Sequence, residues 1–163
     1  LAVGVAAMTS RRETALAAAF AALQALADTD ENLTGKIWRN RRHPLNETEA
    51  PAIIMMDGGH DRVGDAEDTY QELIDIEFAV ELAVTGDSDA AVTVAIDQYY
   101  QAVTNALVAD HTLGGIADDI TADGMDGPDL FDEAGARFGA EFSLRFVVRI
   151  DQNPRDVSKA AFT

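Results

Sequence analysis

A long run of strictly alternating residues constrains the fold of this chain more than any other feature of its sequence. In residues 74–84 every even position is large and apolar, whereas the odd positions carry acids or alanine. A period of two kept up over this length indicates a β-strand with one buried face and one solvent-exposed face. After a break at residues 85–88, apolar residues recur every three or four positions, which predicts an amphipathic helix. The apolar stripe of that helix consists of Val92, Ile96, Tyr99, Val103 and Leu107.

A second alternating run, over residues 138–150, mirrors the first. Its even positions are apolar, and its odd positions include Arg145 and Arg149. Opposite charges that face each other across paired strands stabilise the pairing. We therefore predict that the two long strands are antiparallel neighbours, with the acids of the first strand facing these arginines. The acids concerned are Asp75, Glu77 and Glu81.

Shorter segments complete the predicted fold. Ser10 and Glu13 have the spacing of a capping box, and they begin a helix that extends to about residue 27. A short strand is predicted within residues 33–41, and the wholly apolar residues 52–56 predict a strand buried on both faces. The order of elements predicts an α+β fold, in which a mostly antiparallel or mixed sheet of four to five strands is covered on one face by two helices.

Composition limits the classes of protein to which the chain can belong. Its 163 residues suit a single domain spanning 1–163, with flexible arms expected at 1–9 and 152–163. The formal net charge of −17 argues against binding nucleic acid by neutralising phosphates. A large negative charge is compatible with a channel wall past which a polyanion moves without binding. It is equally compatible with a general contribution to solubility. Cysteine is absent, which excludes disulfides and thiolate metal sites, and no apolar run approaches the length of a membrane helix.

The basic residues suggest two places where a partner binds. Arg11 and Arg12 lie at the positive end of the first helix dipole, where positive charge is unfavourable. They are either kept for a partner or tolerated as surface charges. The chain also has one basic cluster, for which we favour a subunit contact over a nucleic-acid patch that stacks a base on Trp38. The members of this basic cluster are Lys36, Arg39, Arg41 and Arg42.

The glycine-containing, acidic residues 57–68 are predicted to form a loop. Their polar side chains are possible ligands for a hard cation, but the spacing matches neither an EF-hand nor a zinc motif. A plain turn is therefore favoured, and a small metal-dependent hydrolase that uses Asp57, His60 and Asp61 is the alternative. The candidate ligands are Asp57, His60, Asp61, Asp65 and Asp68.

A second acidic segment, residues 118–133, contains seven acids together with Gly124, Gly127 and Pro128. Residues 115–129 are a candidate strand with Ile116 and Ile120 facing inward, but we predict that most of the acidic segment is a solvated loop. Paired catalytic carboxylates need burial to separate their pKa values, and nothing in this pattern indicates burial.

The order of these parts resembles the tail terminator (tail completion) proteins of long-tailed phages and of phage-derived gene transfer agents. The resemblance covers residues 11–150 and rests on fold and spacing, not on a chemical signature; the arm from Gln152 departs from it. The matching segments are Arg-Arg-Glu-Thr-Ala-Leu at 11–16, Trp-Arg-Asn-Arg at 38–41, Pro-Ala-Ile-Ile-Met-Met-Asp-Gly at 51–58, the long strand and helix, and Asp-His-Thr-Leu-Gly-Gly at 110–115.

This resemblance implies a structural protein of a virion or phage-like particle and not an enzyme. In that family the domain forms a hexameric ring on the head-proximal end of the tail tube. The ring stops polymerisation of the tail tube protein and docks to the head–tail connector or stopper, while DNA passes through the lumen without specific binding. The resemblance implies no cofactor, metal, catalytic residue or membrane, and it implies assembly in the bacterial cytoplasm. The alternatives within virion assembly are another head–tail connector protein and a tail-tube subunit.

A ring of this kind needs an interface that joins two different surfaces of each subunit. The basic cluster gives this acidic chain an unlike patch that such a contact can use. Acidic side chains of residues 57–68, or those at the end of the second acidic segment, are the candidates for the lumen or rim. These candidates are Asp61, Asp65, Asp132 and Glu133.

Overall fold

The computed structural model describes residues 8–64, 71–133 and 137–161. Its helices are α1 (Arg11–Gln24) and α2 (Asp89–Val108), and its strands are β1 (Ile37–Arg39), β2 (Ala52–Arg62), β3 (Glu72–Gly86), β4 (Asp119–Glu133) and β5 (Arg137–Gln152). The strands form one sheet in the order β1-β2-β3-β5-β4. β1 is parallel to β2, and the other neighbours are antiparallel. The predicted α+β fold with a mixed sheet is confirmed.

The two alternating runs pair as predicted. β3 and β5 are antiparallel, and residues 72–86 pair with residues 138–152 without a shift in register. The even-numbered residues of both strands are buried on the face that the helices cover, apart from those at the strand ends. At the centre of this face the rings of Phe78 and Phe146 stack with their centroids 5.4 Å apart. The core therefore lies between the β3–β5 pair and the two helices.

Both helices begin at a serine cap and pack on this face. The Ser10 Oγ accepts a hydrogen bond from the Glu13 amide at 3.1 Å, and the Ser88 Oγ accepts one from the Ala91 amide at 3.1 Å. These bonds satisfy amides that the first turn leaves without helical partners. The buried helix residues are Ala15, Leu16, Ala19 and Leu23 of α1 and Val92, Val103 and Leu107 of α2.

Residues 57–62, predicted to be a loop, prove to be a strand, and the candidate strand in the second acidic segment extends through residues predicted to be mostly loop. β2 continues through residues 57–62, and β4 includes nearly all of the second acidic segment. In both strands the glycines lie at shifts in register, which are β-bulges or similar irregularities. Gly124 and Gly127 have φ angles of 125° and 95°, a region that glycine adopts without steric cost. β4 is an edge strand, where proline and glycine are tolerated, so these residues do not end it.

The last described residues contact the first helix. Residues 152–161, expected to be a flexible arm, fold back onto the start of α1. The Arg11 amide donates a hydrogen bond to the Val157 carbonyl at 2.7 Å, and Asn153 is buried. Of the arm expected at residues 1–9, positions 8 and 9 are exposed and without regular structure. The rest of that arm lies outside the described residues.

Phe146→Ala is expected to lower the free energy of unfolding by about 3–5 kcal/mol, because it removes a fully buried ring and leaves a cavity against Phe78. Urea unfolding followed by circular dichroism measures this loss. Val94→Ala is the control, because the Val94 side chain is 55% exposed on α2 and its removal should change stability by only about 0.5 kcal/mol. Equal losses from the two substitutions would contradict this description of the core.

Candidate functional site

Arg39, a member of the predicted basic cluster, is held by carboxylates of its own chain. Its Nη1 and Nη2 atoms donate to the Glu13 carboxylate at 2.7 and 2.8 Å. Its Nε and Nη2 atoms donate to the Asp57 carboxylate at 3.0 and 2.7 Å. Only 18% of the Arg39 side chain is exposed. Since Glu13 lies on α1, Arg39 on β1 and Asp57 on β2, this arginine network connects the first helix to the edge of the sheet.

Both carboxylates of the arginine network lose their protons at lower pH than free carboxylates do. Hydrogen bonds from Arg39 lower the pKa of Glu13. Burial raises the pKa of Asp57, but hydrogen bonds from Arg39 and Asn40 outweigh it and leave that pKa below its ordinary value. The bonds to Glu13 and Asp57 raise the pKa of Arg39 further above its already high value. The network is therefore fully ionised at neutral pH.

Arg11 and Arg12 also contact groups of their own chain. The Arg11 Nη2 atom donates to the Asp151 carboxylate at 3.1 Å and to the Ile116 carbonyl at 3.0 Å. The Arg12 Nη2 atom donates to the Gly58 carbonyl. These contacts compensate two cations at the unfavourable end of the α1 dipole. A role for Arg11 and Arg12 in binding a partner stays a prediction.

Arg41 covers the tryptophan that was considered as a base-stacking platform. Its Cζ atom lies 4.4 Å from the centroid of the Trp38 ring, a distance typical of a cation–π contact. Its Nη2 atom donates to the Glu49 carboxylate at 2.7 Å. Arg41 is therefore oriented by both an aromatic face and a carboxylate of the same chain.

Lys36 and Arg42 are the two members of the basic cluster for which the described residues offer no carboxylate within 4.0 Å. Arg42 is exposed, and Lys36 is half-buried. The pKa of Asp30 is lowered chiefly by a hydrogen bond from Tyr99, and the positive charge of Lys36 lowers it by a smaller amount, so Lys36 acts on an acid of its own chain. Arg42 is thus the member of the cluster most available to another molecule.

The acidic residues predicted for a lumen or rim are not brought together. Asp61 lies in β2 opposite Asp75, whereas Asp132 and Glu133 lie at the end of β4, near the opposite end of the sheet. From the rise per residue of a strand, the two positions are separated by roughly 35 Å along the sheet. Asp65 lies outside the described residues. The two groups therefore stay alternative candidates for the lumen or rim.

The predicted ion pairs between β3 and β5 form in part. The Arg149 Nε and Nη2 atoms donate to the Asp75 carboxylate at 2.8 and 2.9 Å, and the two residues are partners in the β3–β5 register. Arg145 does not pair with Glu77 or Glu81 as expected, because its Nε atom lies 3.4 Å from the Asp126 carboxylate on β4. Hydrogen bonds from Arg149 lower the pKa of Asp75.

The sheet face opposite the helices, here called the open face, is acidic and has shallow depressions. One of about 290 Å³ is lined in part by Glu77, Asp123 and Arg145. Another of about 350 Å³ lies where Leu45 of the β1–β2 connection approaches β3, β4 and β5. Depressions this open to solvent suit contact with another macromolecule better than enclosure of a small substrate.

The three residues suggested for a metal-dependent hydrolase point in different directions. Asp57 is engaged by Arg39, and His60 and Asp61 are consecutive in β2. Consecutive residues of a strand project to opposite faces of the sheet. Asp65 and Asp68 lie outside the described residues. Within the part of the chain that is described, no group of three or more histidine, aspartate or glutamate side chains is placed to hold a metal ion.

Charge is segregated along this chain, a feature that overall composition conceals. Residues 63–136 contain 18 of the 29 acidic residues and none of the 12 basic ones. The remainder is nearly neutral, with 11 acidic and 12 basic residues. The acid-only stretch includes β3, α2 and β4. This charge segregation and the full length of β4 are the features that were not predicted from the sequence.

Comparison with known proteins assigns the chain to no family. The sequence matches no model of a known protein family, and a search of curated proteins finds no significant relative. Among the described residues, no helix is both long enough and apolar enough to cross a membrane. The functional inference therefore rests on the arginine network, the segregated charge and the fold.

Arg39→Met is expected to lower the free energy of unfolding at pH 7 by about 2 kcal/mol, because it removes charged hydrogen bonds and leaves Glu13 and Asp57 without their cation. Both carboxylates have lowered pKa values in the folded protein. Their contribution is therefore complete above the unfolded-state pKa of about 4 and is lost as the pH falls through the folded-state values. As the pH is lowered below about 4, the free energy of unfolding of the variant should accordingly fall less steeply than that of the original chain.

Urea unfolding of both proteins at a series of pH values from neutral to acidic measures this difference. Arg42→Met is the matched control, because Arg42 is exposed and outside the network. The interpretation fails if Arg39→Met and Arg42→Met give the same stability and the same dependence on pH.

Proposed function

We propose that this chain is a structural assembly protein of the tail terminator type. In this proposal it forms a hexameric ring on the head-proximal end of a tail tube, stops polymerisation of the tube protein and docks to the head–tail connector. The resemblance in the order and spacing of segments motivates this class. The observation that carries the proposal is the segregated charge, in which β3, α2 and β4 lie in a stretch of 74 positions without a basic residue.

Segregated charge supports a ring through which DNA passes. A lumen that binds phosphate would hold the DNA, whereas a surface of uncompensated acids repels it. At least seven basic side chains lie within 4.0 Å of a carboxylate of the same chain, so most of the cations are neutralised internally. The surface presented by β3, α2 and β4 consequently offers DNA little to bind.

The arrangement of the basic cluster narrows the proposed subunit contact. A closed ring joins unlike surfaces of neighbouring subunits. Arg39 and Arg41 are engaged by Glu13, Asp57 and Glu49 of their own chain, so their charges are already balanced. The proposal therefore assigns the subunit contact to Lys36 and Arg42, which lie before and after β1, and assigns Arg39 and Arg41 to the fold.

Deletion of the gene from the strain that produces the particles tests the function directly. We expect unattached heads together with tails of abnormal length in electron micrographs, because an uncapped tube continues to grow and cannot dock. Supplying the intact gene from a plasmid should restore normal particles. Normal particles from the deletion strain would refute the proposal.

Charge reversal tests the subunit contact. Lys36→Glu with Arg42→Glu should lower the oligomer mass measured by light scattering while the unfolding curve stays within about 1 kcal/mol of that of the original chain. Arg39→Glu is the contrasting variant, because it places a third carboxylate beside Glu13 and Asp57 and should unfold the protein more readily. An unchanged oligomer mass after reversal at Lys36 and Arg42 would remove them from the interface.

A further inference from the structure

β4 is unusually exposed for so long a strand. It is at the edge of the sheet and pairs with β5 on one side only. Between Thr121 and Leu130 every residue except Met125 is exposed, and 71% of the Leu130 surface is accessible. The outer side of β4 therefore presents unpaired backbone amides and carbonyls along with an apolar side chain. Such an edge is a template for pairing with another strand.

The side chains of β4 determine which strand can pair there. Its acids are Asp119, Asp123, Asp126, Asp129, Asp132 and Glu133, and it has no basic residue. Among the described residues, one arginine forms an ion pair with an acid of β4. The Arg145 Nε atom lies 3.4 Å from the Asp126 carboxylate, and both side chains are at least half exposed. The charge of this edge is thus largely uncompensated by the chain itself.

A second copy of this chain is a poor match for the edge. Pairing of β4 with β4 would place acids opposite acids, which destabilises a strand pair. The other edge strand, β1, has only three residues, too few to pair along β4, and its Arg39 guanidinium is held by Glu13 and Asp57. The bulges and charges of β4 also discourage indiscriminate pairing. A partner must therefore bring its own cations.

We propose that the outer edge of β4 binds an extended, Lys- or Arg-bearing segment of a different protein as an added strand. Main-chain hydrogen bonds supply the affinity in this mode of recognition, and alternate side chains supply the specificity. Cations on alternate positions of the segment would face the acids of β4, and an apolar residue would cover Leu130. The inference goes beyond the ring proposed above and does not depend on it.

A synthetic peptide of about ten residues, in which lysine alternates with threonine or valine, is the probe for this edge. Fluorescence anisotropy of the labelled peptide at low and physiological salt measures binding to the full chain. We expect saturable binding that weakens with added salt, because exposed charges contribute. The same peptide with glutamate in place of lysine should not bind.

Two further comparisons separate strand addition from simple charge attraction. A lysine peptide with N-methylated amides on its pairing side keeps every charge but cannot donate main-chain hydrogen bonds. We expect at least a tenfold loss of affinity for it, roughly the contribution of one or two such bonds.

The double variant Asp123→Lys with Asp129→Lys should bind the lysine peptide with an affinity lower by about tenfold or more. Its control, Asp28→Lys with Asp97→Lys, has the same net charge at exposed positions of the helical layer and should bind the peptide nearly as well.

Several outcomes overturn the proposal. Failure of the lysine peptide to bind, equal binding of the N-methylated peptide, or equal loss in both double variants would each do so.

Because the chain has no cysteine, Asp129→Cys supplies a single reactive thiol on β4. A short bis-maleimide should not cross-link two copies of that variant through position 129 under conditions where peptide binds. Efficient cross-linking into dimers would make a second copy, and not a basic segment, the occupant of the edge. None of these results bears on tail length in the deletion strain, so the two proposals can fail separately.

Discussion

Uninterrupted pairing between β3 and β5 is the constraint on which the rest of the structure depends. Fifteen consecutive residue pairs keep one register, from Glu72 with Gln152 to Gly86 with Phe138. Because the side-chain period of a strand is two, a slip of one residue would turn every apolar side chain of either strand toward solvent. The stacked rings of Phe78 and Phe146 fix that register at its centre. The helices then cover the only face that this register makes apolar.

Arginines complete the attachment of the helical layer and the sheet edges to this central pair. Arg39 connects α1 to β1 and β2, Arg11 connects α1 to β5, and Arg149 connects β5 to β3. Each guanidinium has several donors in a planar arrangement that matches carboxylates. One consequence is that a chain poor in basic residues uses them for its own fold. The acids that remain without partners consequently dominate the surface.

The parts of the fold that could be predicted are those that local pattern determines. Alternation over residues 74–84 predicted β3, and the same alternation in β5 predicted an antiparallel pair in which Asp75 faces an arginine. The serine at position 10 predicted the start of α1. These features follow from side-chain period and from caps, which act over a few residues.

The missed features depend on tertiary context. Gly124, Gly127 and Pro128 suggested a loop, but at an edge they are compatible with a bulged strand. Arg39 appeared to be available to a partner because Glu13 and Asp57, at 26 and 18 positions from it, gave no local sign of binding it. The acidic edge of β4 could be recognised only once β4 was known to be a strand.

The contact between Arg11 and Asp151 has a consequence for the order of events during synthesis. These residues are 140 positions apart, and α1 packs against β5. On the ribosome the first helix is therefore made long before the strand that it covers. Its apolar residues, including Leu16 and Leu23, cannot be buried against β5 until that strand has been synthesised. Domains with such distant contacts fold slowly and expose apolar surface in the interval. The core of this chain is accordingly completed only after β5 has been synthesised.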